Sequence, residues 1–121
     1  ALEAWEDVDM QELRLASLEL SELFIAQVEA RCPDLQLASP RNGAERGSQV
    51  SFSHPEGYAI VQALIAQDVI GDFRAPNIMR FGFTPLYLDE ADVIRATEIL
   101  EHVMNDRLWD RPEFKITRRV T

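Results

Sequence analysis

Lysine is almost missing from this 121-residue sequence: Lys115 stands alone beside eleven arginines. Chemistry that begins at a lysine amine has a single residue to draw on, which limits what the chain can do by itself. Cysteine is equally scarce. Cys32 alone excludes an internal disulfide framework and any cysteine-based metal cluster. No apolar run approaches the roughly 20 residues that a bilayer span requires, so a membrane partner is not expected. Positive charge is in deficit, with 12 basic against 21 acidic residues and a formal net charge of −9. That balance argues against nucleic acid as a partner, because binding a phosphate backbone needs a basic face. Beginning at Ala1 with no charged-then-apolar leader, the sequence offers no sign of secretion, and a cytoplasmic location is expected. What is present is apolar material, at 46% of residues, enough for a core and against global disorder. The length suits one domain.

Residues 1–8 have mixed polarity and no clear period, and are expected to be a linker or the end of a preceding element, with one small domain over 9–121. Asp9 and Glu12 have capping-box spacing. Leu13, Leu20, Leu23, Phe24 and Val28 then share a helical face that Leu15, Leu18 and Ile25 widen, predicting a helix from about 10 to 31 that stops before Pro33. Short alternating segments at 35–39 and 49–53 predict strands, separated by the turn-rich 40–47. A helix is expected from Pro55 to about Gln67, with Tyr58, Val61, Leu64 and Ile65 on its apolar face. Val69-Ile70 reads as a short strand, 72–77 as a polar loop and 78–83 as a strand between Pro76 and Pro85. Asp89-Glu90-Ala91-Asp92 opens a helix to about Arg107, and 114–116 reads as a last strand. The fold class is α+β, a small two-layer sandwich of mostly antiparallel sheet covered by helices.

Among the polar residues, Arg80 stands out. It lies mid-strand between Met79 and Phe81 in a stretch with no other charge. It either alternates outward to solvent or presents a planar fork able to take a carboxylate or phosphate bidentately from a rigid mount. Asp72 and Arg74 pair across a turn or belong to a plain surface loop; Arg41 and Arg46 make a weak anion site or a solvated turn. His54, before Pro55, is read as a capping or surface residue, and His102 as solvated. Cys32 is read as a buried or inert thiol. Glu19, Glu22 and Glu29 form the wet side of the first helix, and no paired-carboxylate, metal-ligand or nucleophile–base arrangement is signalled.

Three segments together carry a more specific signal. They are Arg46-Gly47-Ser48-Gln49-Val50-Ser51-Phe52 with His54-Pro55-Glu56-Gly57-Tyr58; Val69-Ile70-Gly71-Asp72-Phe73-Arg74-Ala75-Pro76; and Ile78-Met79-Arg80-Phe81-Gly82-Phe83-Thr84-Pro85-Leu86-Tyr87. The chain, from about residue 8 to Thr121, resembles the C-terminal region of the kynureninase family, pyridoxal-phosphate enzymes of the aspartate aminotransferase superfamily. The resemblance implies the C-terminal small domain of a fold-type I enzyme. It implies a hydrolase that cleaves L-kynurenine to anthranilate and L-alanine in tryptophan catabolism and NAD biosynthesis, working as a cytoplasmic homodimer. It implies that Arg80 binds the substrate α-carboxylate. The Schiff-base lysine and the other pyridoxal-phosphate contacts belong to the family's large domain; Lys115, in its Phe114-Lys115-Ile116 context, does not match that lysine's motif. No catalytic, cofactor-binding or metal-binding residue is therefore assigned in this chain, which is expected to need its own large domain for activity.

Three other readings compete, the plainest being a fold-only interaction domain whose Arg80 simply faces outward. A cysteine desulfurase or related lyase of the same fold type would place a reactive cysteine on a loop, whereas Cys32 ends a predicted helix. A free-standing module holding a small acid at Arg80 would bind its ligand with no further domain.

Overall fold

The computed structural model describes residues 2–40, 42, 49–82 and 88–115, with side chains from Gln11 onward. The elements in chain order are α1 (Leu2–Arg31), β1 (Gln36–Leu37), β2 (Gln49–Ser53), α2 (Gly57–Ala66), β3 (Asp72–Arg74), β4 (Ile78–Gly82), α3 (Glu90–Asn105) and α4 (Pro112–Lys115). One antiparallel sheet has the order β1-β2-β4-β3. The α+β class expected from the sequence is the one observed.

Strand alternation builds the two layers. Val50, Phe52, Met79 and Phe81 point to one face and are buried, while Gln49, Ser51, Ser53, Ile78, Arg80 and Gly82 point to the other and keep solvent contact. Helix α1 supplies Leu20, Phe24, Ile25 and Val28 to the inner face, at the three- and four-residue spacing that aligns side chains along one stripe. Phe24 meets Phe52 edge-on at 6.0 Å and Phe81 at 5.0 Å, joining α1 to both central strands. Helix α2 adds Ala59, Ile60, Val61, Ala63 and Leu64, and α3 adds Val93, Leu100 and Val103. Small side chains let α1 and α3 approach closely. Ser21 and Thr97 are fully buried, and each hydroxyl donates to a carbonyl three residues back, Leu18 and Ile94. Arg31 then bridges the helices through Glu101 at 2.9 Å.

Two glycines mark close approaches. A Cβ on Gly57, the first residue of α2, would stand 3.2 Å from the Asn77 carbonyl oxygen and 3.3 Å from Met79. A Cβ on Gly71 would stand 3.1 Å from the Phe81 ring.

Several expectations change. Helix α1 begins at Leu2, so Asp9 and Glu12 lie inside it and not at its start. Residues 2–8 contain no glycine or proline that would interrupt the helix. Val69-Ile70 is not a strand. The chain leaves α2 through Asp68 at φ 66°, and Ile70 emerges 75% exposed. The strand lies instead within the expected loop, where Asp72-Phe73-Arg74 forms β3 and Ala75-Pro76-Asn77 turns it back into β4. The turn signals of Pro76 and Asn77 masked a three-residue strand with one inward apolar side chain, Phe73. The expected last strand is a helical turn, α4, with Pro112 at its first position, where its missing N–H costs nothing; residues from Ile116 lie outside the described set. Helix α3 follows its expected start, with Asp89 and Asp92 forming a reciprocal capping box. Among the described residues no helix is long and apolar enough to cross a membrane.

Phe52 is fully buried where α1 meets the sheet, whereas Leu15 is 61% exposed. Phe52→Ala is expected to lower stability by about 3–5 kcal/mol. Leu15→Ala should stay within about 0.5 kcal/mol of the parent. Guanidinium denaturation of the two variants checks both.

Candidate functional site

The outer face of the sheet holds the one charged cluster on its described strand positions. Register places Ser51 of β2 opposite Arg80 on one side and Asp72 of β3 opposite it on the other. Two residues along β3, on the same face, stands Arg74. The remaining outward positions, Gln36, Gln49, Ser53, Ile78 and Gly82, are uncharged. In a chain of net charge −9 this face carries two arginines and one carboxylate.

Arg80 sits at the centre of that face, its side chain 25% exposed. Its Nη2 donates to Oδ2 of Asp72, and among the described residues Asp72 is its hydrogen-bond partner. The hydrogen bond from Arg80, ahead of every other influence, holds the Asp72 carboxyl below the usual carboxylate range. Arg80 Nε is buried with no partner among the described residues. Among the described residues the guanidinium is thus held at Nη2 by one oxygen; its buried Nε is closed to solvent, and its other Nη hydrogens have no described partner. Such a group can take a carboxylate or phosphate oxygen pair. A groove of about 650 Å³ opens elsewhere, on the Phe81 side of the sheet beside Leu88 and Ile99, and Arg80 does not line it.

The other candidates are placed as structural residues. His54 Nδ1 accepts from the Glu56 amide at 2.9 Å just before α2, and its ring lies edge-on to Trp109 at 6.1 Å. Burial pushes the His54 pKa below 6.5. Cys32 is buried, and its thiol pKa is raised to about 11, first by burial and then by Glu101; a thiol so placed is inert. His102 is exposed, 2.8 Å from Asp106. Glu19, Glu22 and Glu29 are exposed on α1. Lys115 pairs with Asp110 at 2.5 Å and lies 5.5 Å over the Trp109 ring. Arg41, Arg46 and the Thr84–Tyr87 segment lie outside the described residues.

The pairing of Asp72 with Arg80, rather than with Arg74, is what sequence reasoning missed. Its signal was the three-residue turn 75–77: once that turn is read as a hairpin, Arg74 faces Ile78 and Asp72 must face Arg80.

A family model described as kynureninase C-terminal domain matches residues 13–100, most of the described structure and the whole of the β2–β4 face. The chain belongs to that family. Kynureninase of Pseudomonas fluorescens is 49% identical to it over 122 residues, and kynureninases of Burkholderia mallei strain SAVP1 and Burkholderia pseudomallei strain 1106a are 48% identical. Each alignment covers 99% of this chain and 29% of the relative, so the chain spans under a third of the length of the kynureninases it matches.

His54 also sets a pH dependence in this kynureninase domain. A histidine whose folded pKa is below its unfolded value contributes stability that is complete above about 6.5 and is lost as the pH falls through the folded pKa. Denaturant melts between pH 5 and pH 8 should show stability rising with pH in that window, and His54→Gln should flatten the rise.

Proposed function

We propose that this chain is the C-terminal part of a kynureninase and that its task is to bind and orient the α-carboxylate of L-kynurenine through Arg80. The observation that carries this reading is the guanidinium at the centre of the outer sheet face, a quarter exposed and bound, among the described residues, by a single oxygen of Asp72. Family membership supports the substrate, and the geometry supports the role. A strand-mounted fork fixes two oxygens in a plane, and with them the direction of the remaining bonds at the substrate's Cα. The described strand positions of the outer face carry two arginines and, besides Asp72, no negative charge, which favours an anion there.

Among the described residues, nothing fits the Schiff-base lysine that pyridoxal phosphate, the cofactor of this enzyme class, requires. Lys115, the one lysine, is committed to Asp110 and the Trp109 ring on an exposed helical turn. The cofactor and the groups that act on it therefore belong to polypeptide beyond this chain. The hydrolysis of L-kynurenine to anthranilate and L-alanine, the place in tryptophan catabolism and the homodimer are properties of that longer enzyme.

Anthranilate fluorescence with L-kynurenine and pyridoxal phosphate tests the reading. The full-length enzyme should be active and this chain alone silent. In the full-length enzyme, Arg80→Ala should lower kcat/KM by roughly 10- to 150-fold, the equivalent of losing about 1.5–3 kcal/mol of charge-assisted hydrogen bonding. Bound pyridoxal phosphate should remain, and Arg80→Lys should recover part of the loss. Unchanged kinetics in Arg80→Ala would remove the residue from the site.

A further inference from the structure

We infer that Asp72 is a positioning residue, an anchor that holds the Arg80 fork ready for the substrate carboxylate without occupying it. The inference rests on the Arg80 reading above and goes beyond it. An unanchored arginine side chain samples many rotamers, and each must be given up when a ligand binds. Here the register of β3 against β4 places a carboxylate directly opposite the guanidinium, on the same face and on a strand rather than a loop. The opposite neighbour on β2, Ser51, brings no charge.

The form of the contact separates an anchor from a competitor. A carboxylate competing for the site would take the fork with both oxygens. Asp72 instead uses Oδ2 alone against Nη2 alone. Buried Nε faces the protein, and the exposed remainder of the group is left for a ligand. Asp72 is 59% exposed on an edge strand, so it does not close the approach. Arg74, two positions along the same strand face, offsets its charge, so the anchor does not turn the site repulsive. The depressed carboxyl pKa keeps Asp72 ionised through the neutral range.

The test is a set of variants of the full-length enzyme with pyridoxal phosphate bound, assayed with L-kynurenine. Asp72→Ala is expected to raise KM about tenfold while kcat stays within about twofold, in the range of coupling between contacting residues. Asp72→Asn, which keeps an acceptor oxygen, should fall between Asp72→Ala and the parent. Competitive inhibition by the carboxamide of L-kynurenine, which lacks the anionic group, should not change. In an Arg80→Ala background Asp72→Ala should add nothing. A lower KM in Asp72→Ala would overturn the inference, since it would make Asp72 a competitor. An unchanged KM in Asp72→Ala beside a raised KM in Arg80→Ala would overturn the anchor and leave Arg80 as the carboxylate ligand. An unchanged KM in both would overturn the two readings together.

Discussion

Strand β4 must satisfy two opposite demands on alternate residues. Met79 and Phe81 go into the core between α1 and α2, while Arg80 and Ile78 go to the open face. Because side chains alternate with a period of two, a slip of one position would bury the guanidinium and expose both apolar residues. That penalty locks the register on both sides of β4 at once. It therefore decides which residue of β2 and which of β3 become neighbours of the arginine. The core and the candidate site are one constraint seen from two faces.

The helical layer supports that register. Phe24 of α1 touches rings on both central strands. The buried hydroxyls of Ser21 and Thr97 each donate to a carbonyl of their own helix, which keeps these polar groups satisfied inside the helical layer. At the far end, Trp109 is buried beneath two cations, Arg107 at 4.9 Å and Lys115 at 5.5 Å, which fasten α4 and the chain after α3 to the helical layer.

Much of this was legible in the residues. The alternation of Ile78 to Phe81 identified a strand with an outward arginine, and the apolar spacing along α1 identified much of its buried stripe. The three quoted segments carried the family. The failures were places where local chemistry pointed one way and tertiary context another. The Asp9–Glu12 spacing imitates a cap, but the helix runs through it from Leu2. Val69 and Ile70 have strand-favouring side chains, yet the chain turns at Asp68 so that Val69 packs against the core and Ile70 faces solvent before the ladder begins. The Asp72–Arg80 pair was hidden because register is a property of two strands and a turn, and no single segment contains it.

Gly57 and Gly71 press on β4 from the core side, one against Asn77 and Met79 and the other against Phe81. Neither position contributes a side-chain atom to that contact. An added methyl would crowd the Asn77 carbonyl and Met79 at Gly57, and the Phe81 ring at Gly71, so those neighbours would have to give by a few tenths of an ångström. The strand that carries the arginine is thus flanked by two positions kept empty of side chain, one of them beside the arginine's own backbone carbonyl.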